Sequence, residues 1–186
     1  MTLAGGISSP VLPFLRADLA LSFRGFAMSQ RSLVYDYPVA KLLAAAPDAA
    51  GRTGTYLSLR NALKAFVECE VNQGNAAPVT FSLLQAKDAS GTGTKALTGG
   101  VRAYLYNTAS TSDAQTNLGY AVSYTTDATT VDKLVLFEID IEALDIANGF
   151  NHITVQTGAS NLANVTSASL RIQPSYAGDS HPSAFV

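Results

Sequence analysis

Strict two-residue alternation, repeated in several segments, most limits what this chain can fold into. Over residues 65–71, Phe66, Glu68 and Glu70 point one way and Ala65, Val67, Cys69 and Val71 the other. Residues 133–141 repeat the pattern: Leu134, Leu136, Glu138 and Asp140 oppose Val135, Phe137, Ile139 and Ile141. A period of two marks a half-buried strand of an antiparallel sheet. After the turn formers QGNAAP at residues 73–78, residues 79–86 alternate again, with Val79, Phe81 and Leu83 against Thr80, Ser82 and Leu84. Residues 63–86 therefore read as a hairpin with one face covered by another sheet.

The remaining segments agree in kind. Residues 32–39 read as a short strand ended by Pro38, which suits a sheet edge. Residues 41–46 are a brief apolar run, 48–54 a loop, and 55–59 a short strand. Residues 87–100 form a Gly- and Ser-containing loop, 101–106 a strand, 107–117 a polar, uncharged connection, and 120–125 another strand. A single turn closed by Asn148 and Gly149 precedes strands at 152–157 and 168–176. About eight or nine short strands without a long helix predict an all-β fold, an antiparallel β-sandwich or jelly roll. The expected division is an N-terminal arm and lead-in strand (1–50), a sandwich (51–177) and a C-terminal tail (178–186) that is mobile or partner-bound.

Residues 1–34 show no clean period, yet carry Leu12, Phe14, Leu15, Leu19, Leu21, Phe23 and Phe26. Such a segment cannot make its own core and is a solubility problem if left bare. It reads as an extended arm lying on a partner subunit, with packing on its own domain as the plainer alternative.

Composition narrows the function classes. The chain has 186 residues, 47% of them hydrophobic and 14% charged, enough for a sizeable core under a weakly charged surface. A net charge of −2 supplies no basic stripe for phosphates, so nucleic acid is not an expected partner. No apolar run reaches the roughly 18 residues that span a bilayer, so no membrane partner is expected. The N-terminus has no basic residue ahead of its apolar part, and Pro10 and Pro13 interrupt it, which makes a poor secretory signal. The single cysteine, Cys69, lies on the apolar side of its strand and reads as a small core residue.

Chemical motifs are weak. GTGTK at residues 91–95 lacks the spacing of a phosphate-binding P-loop and has no helix after it. Glu138, Asp140, Glu142 and Asp145 could bind calcium or act as a carboxylate pair, but the alternation puts Glu138 and Asp140 on a solvated strand face. His152 and His181 have no metal-ligand spacing, and no nucleophile-elbow motif occurs. His152 reads as a hydrogen-bonded rim residue. Asn164-Val165-Thr166 matches a glycosylation acceptor by chance. The tyrosines, Tyr104 and Tyr106 on one strand face among them, suit an interface, and with no tryptophan they suit a sugar platform less well.

Three stretches together resemble the decoration, or cement, proteins of tailed-phage capsids: YLSLRNALKAFVECEVNQGNAAPVTFSLLQAKDASGTGTKAL, KLVLFEIDIEALDIANGFNHITVQTG and SLRIQPSYAG. They cover roughly two-thirds of the chain and are patterns of fold more than of chemistry. The resemblance implies a non-enzymatic jelly-roll domain with no cofactor. It would sit on the outer surface of an icosahedral head made in a bacterial cytoplasm, binding the major capsid protein and further copies of itself as a dimer or trimer. In that setting Leu12, Phe14, Leu15, Phe23, Phe26, Tyr35 and Tyr37 are candidate interface residues. Head-fibre or tail components and carbohydrate-binding or adhesin modules are the alternatives, and a hydrolase using the Glu138/Asp140 region a more distant one.

Overall fold

Eleven antiparallel strands form two sheets in the computed structural model, which describes residues 36–97, 99–107 and 114–175. The first sheet has the order β1 (Val39–Pro47), β11 (Asn164–Pro174), β3 (Ala62–Gln73), β9 (Asp132–Asp140), β6 (Arg102–Asn107) and β7 (Gln115–Tyr120). The second runs β2 (Leu57–Ser58), β10 (His152–Thr157), β4 (Thr80–Ala86) and β5 (Lys95–Ala96), and β8 (Ser123–Thr125) also pairs with β4. The fold is an antiparallel β-sandwich. Its pairing is nested: β1 with β11, β2 with β10, β3 with β9, and β4 with β5 and β8. A jelly-roll winding calls for that nesting. The β6–β7 hairpin lies outside it, inserted between the two short strands that share the edge of β4.

The alternating residues decide which side faces in. Ala65, Val67, Cys69 and Val71 of β3 and Val135, Phe137 and Ile139 of β9 are buried. They meet Val79, Phe81 and Leu83 of β4 and Ile153 and Val155 of β10 in one core. Burying each large side chain contributes about 1.5–3 kcal/mol. Cys69 is fully buried and free, and burial pushes its thiol pKa up, away from thiolate chemistry.

The structure corrects several expectations. Residues 63–86 are not a hairpin, because β3 and β4 lie in different sheets. Their connection is an arch that turns the apolar sides of both strands toward each other, so β4 itself helps to cover β3. Buried Gln73 holds this arch: its amide donates to the Asp127 carbonyl (2.8 Å) and accepts from Thr126 Oγ1 (2.9 Å) and Lys133 Nζ (2.8 Å). Of the edge strand expected at 32–39, residues 32–35 lie outside the described residues and residues 36–38 are not strand; β1 begins at Val39 instead, spans the run at 41–46 and is the outer strand of its sheet. Without an N–H, Pro38 cannot donate to the ladder, but its carbonyl accepts from Ile172 N at 3.2 Å. The polar connection at 107–117 contains the start of β7. The strand expected at 120–125 is broken at Ala121 and Val122, where the chain leaves the first sheet for the second. In the segment 55–59 only Leu57–Ser58 pairs, and β11 starts at Asn164, earlier than expected. The expected turn after β9 consists of two 3-10 turns, Ile141–Ala143 and Ile146–Asn148, the second closed by Gly149 at φ 85°.

Candidate functional site

The outward side of the six-stranded sheet carries the most distinctive surface. Register lines up Arg171, Phe66, Glu138, Arg102 and Tyr120 across neighbouring strands. The next row holds Ser169, Glu68, Leu136, Tyr104 and Asn117, and the one after it Ser167, Glu70, Leu134, Tyr106 and Gln115. Phe66, Leu134, Leu136, Tyr104 and Tyr106 are all half-buried, so this face has an apolar and aromatic centre. Its charges are paired. Lys64 Nζ donates to Glu138 Oε1 at 2.8 Å and lies 3.2 Å from Asp140 Oδ1, and these bonds raise the lysine's pKa. Arg102 reaches Glu138 at 3.7 Å, and Arg171 meets Glu68 at 3.0 Å. Ser169 and Ser167 donate to Glu68 and Glu70, each at 3.2 Å. The arrangement suits a broad contact with another protein surface: an apolar centre, few unpaired charges and a polar rim.

The acidic run does not converge. Glu138 and Asp140 share Lys64, whereas Asp145 accepts from Lys95 at 2.6 Å and from Asn148, and these bonds lower its pKa. Among the described residues no three His, Cys, Asp or Glu side chains are grouped as metal ligands. The 91–95 loop is held by its own bonds: Asp88 Oδ1 accepts from Ser90 N and Thr92 N, and Tyr56 and Thr94 share a hydrogen bond of 2.7 Å. Lys95 Nζ sits 4.0 Å from the Phe150 ring centroid, a cation–π contact at the base of that loop. His152 is half-buried, its Nδ1 bonded to Asn151 Oδ1, and burial lowers its pKa.

Comparison with known proteins adds little. No protein-family model matches the chain, and no curated protein matches it. Among solved structures it is similar to the SPBc2 prophage-derived protein YomS, with a TM-score of 0.43 and 12% identity over 74% of this chain and 93% of that one. So loose a likeness assigns neither a shared topology nor a role.

Of the residues singled out in the sequence, Tyr104 and Tyr106 share the outward face as expected. Tyr37 is exposed near the start of β1. Leu12, Phe14, Leu15, Phe23, Phe26 and Tyr35, and with them the arm and the tail, lie outside the described residues. Asn164 is fully buried, donating to the Ala77 carbonyl and accepting from Asn75 N, so the folded chain cannot present it for glycosylation. Sequence reasoning did not single out Phe66, Leu134 and Leu136 as surface groups. Their signal was present, since apolar side chains fell on both sides of otherwise alternating strands. It also missed Arg52, a loop residue whose guanidinium reaches the carbonyls of Ala44, Ala46 and Thr166.

Proposed function

We propose that this chain is a structural protein of tailed-phage heads, binding the outer surface of the icosahedral shell and bridging coat subunits, with no catalysis of its own. The observation that carries the reading is the outward face of the six-stranded sheet, with Tyr104, Tyr106, Leu134, Leu136 and Phe66 inside a rim of paired charges. The resemblance of the sequence to capsid decoration proteins supplies the partner, the major capsid protein. Binding only the assembled shell stabilises that state by mass action. Many copies of a modest interface, with the apolar arm as a second contact, add avidity. The site of action is then the outer surface of the virion, after synthesis in a bacterial cytoplasm.

Quantitative mass spectrometry of purified virus particles tests this. A copy number close to that of the shell protein is expected. A handful of copies per particle would move the chain to a head-fibre or tail role, and absence would overturn the head reading. Within the main reading, Leu136→Ala and Tyr104→Ala should each weaken shell binding by about tenfold or more. Removing residues 1–30 should abolish binding while leaving the sandwich folded. The placement of half-buried Tyr104 and Tyr106 on one outward strand face favours one second reading, a carbohydrate-binding or adhesin module. Glycan-array binding that is lost in Tyr104→Ala would select it.

A further inference from the structure

We propose that two copies of this chain join through the outer edge of β7, their strands adding antiparallel across a two-fold axis to make one continuous sheet. Among the described residues β7 pairs with β6 alone, and no residue outside the hairpin bonds to its backbone. Among the described residues one row of its N–H and C=O groups is therefore left without a ladder partner, and an extended strand satisfies such a row.

Three further features select a second copy as that strand. First, Gln115, Thr116, Asn117, Leu118, Gly119 and Tyr120 are all uncharged. Antiparallel self-pairing sets the same short segment against itself, and a charged strand would place like charges opposite one another. This edge carries neither charge nor proline, the devices that ordinarily block strand addition. Second, every β7 side chain except Leu118 is exposed, and Tyr120 is 74% exposed. Thr116 borders a groove with Leu105, Asp127 and Lys133, but no other β7 side chain lines it, so the strand offers little with which to select the side chains of a foreign peptide. Third, the hairpin is an insertion between β5 and β8, so it extends the first sheet beyond what the nested pairing of the sandwich needs. An overhang with so little of the described chain against it is an aggregation hazard unless another strand covers it.

This inference rests on the expectation, drawn from the resemblance to capsid decoration proteins, that the chain binds further copies of itself, and it is independent of shell binding. Sedimentation velocity of the full chain, combined with amide hydrogen exchange over a dilution series, tests it. We expect a reversible dimer whose β7 amides lose protection on dilution. Gln115→Lys, alone and with Asn117→Lys, should weaken association by about tenfold or more without lowering the melting temperature of the monomer. Leu162→Lys, at an exposed site in the β10–β11 loop, should leave association unchanged. The pairing is overturned by a chain that stays monomeric at all concentrations, or by β7 protection that ignores dilution, which would mean the chain covers its own edge. A trimer, or a dimer indifferent to the β7 lysines, overturns it as well. None of these readouts involves the virus particle, so failure here leaves the copy-number test of the head reading untouched.

Discussion

The two outer strands of the six-stranded sheet are finished in opposite ways. At the β1 end, residues 52–55 fold back against the strand. Thr55 N donates to the Leu42 carbonyl at 2.8 Å, and the Arg52 guanidinium donates to the carbonyls of Ala44 (2.7 Å), Ala46 (3.1 Å) and Thr166 (2.7 Å). β1 also carries two register irregularities against β11, which spoil it as a template. Beneath the arginine lies fully buried Asp48, its Oδ1 accepting from Thr157 Oγ1 at 2.6 Å and lying 3.6 Å from Arg52 Nε. At the β7 end the described residues provide no comparable cover. Among the described residues, one edge of this sheet is thus closed by its own chain and the other left open. An edge that the described chain leaves without a guard, in a molecule that builds one elsewhere, is better explained by use than by neglect.

The largest expected effect comes from breaking the guarded edge. Arg52→Ala removes the donors to three carbonyls and leaves a buried carboxylate without its nearest cation. We expect a loss of about 3 kcal/mol in urea denaturation, together with concentration-dependent aggregation through the uncovered β1. Arg52→Lys should recover less than half of that, because an ammonium cannot reproduce the planar fork that reaches several carbonyls at once. An alanine variant within 0.5 kcal/mol of wild type, on the scale of an ordinary surface substitution, would mean the guanidinium is decoration.

Gly54→Ala probes the same closure with a smaller change. A Cβ at Gly54 would lie 2.5 Å from the Leu42 carbonyl oxygen, so the segment must lift from β1. Overpacking of this kind costs about 1–3 kcal/mol. Faster exchange at Thr55 N, which bonds that same carbonyl, would show that the loss comes from the edge. Unchanged exchange there would remove the link.

The contrast between the edges also explains what the sequence could and could not convey. Alternation identified β3, β4 and β9, and the inward side of each, because one side of those strands is buried and the other is wet. It could not say that β3 and β4 belong to different sheets. Period two reports a strand's sides, not its neighbours, and the deciding bonds of Gln73 to Thr126, Asp127 and Lys133 span more than fifty residues of chain. β7 left no alternation in QTNLGY because only Leu118 of its six residues packs on the core, so a real strand looked like a connection. Arg52 sits in a loop of ordinary composition, and its partners near residues 44 and 166 are visible only in three dimensions. The outward face was half legible: Tyr104 and Tyr106 were placed on one side, while Leu134, Leu136 and Phe66 joined them only through cross-strand register.

On the open edge, substitutions should cost the fold little. Gln115→Lys and Asn117→Lys lie on exposed positions, and each should change monomer stability by no more than about 0.5 kcal/mol. Asn117 Oδ1 accepts from Gly119 N at 2.8 Å, so of the two it is expected to cost more. A loss as large as that from Arg52→Ala would mean that β7 is built into the core energetics after all, and the contrast between the edges would fail.

The smallest effect expected is in the acid response of the open end. Asp127 and Lys133 line the same groove as Leu105 of β6 and Thr116 of β7. Lys133 is buried, and its ammonium lies 3.0 Å from Asp127 Oδ1. That hydrogen bond, supported by Thr129, holds the Asp127 carboxyl below the usual carboxylate range. With the folded value below the unfolded one, near 3.9, the folded state binds fewer protons between the two. The pair's contribution is therefore complete above the unfolded value and is lost as pH falls through the folded one. Asp88 and Asp145 are shifted in the same direction, so wild-type acid denaturation alone would not isolate Asp127. The informative comparison is Asp127→Asn against wild type. The variant should show a shallower fall in stability below about pH 4, with the change in amide protection confined to β6 and β7 and absent from β1. Because Asp127 is exposed to solvent, salt should shrink the difference further. An acid slope identical in the two proteins would mean that this ion pair does not brace the overhanging hairpin, leaving β6 as the strand that holds β7 in place.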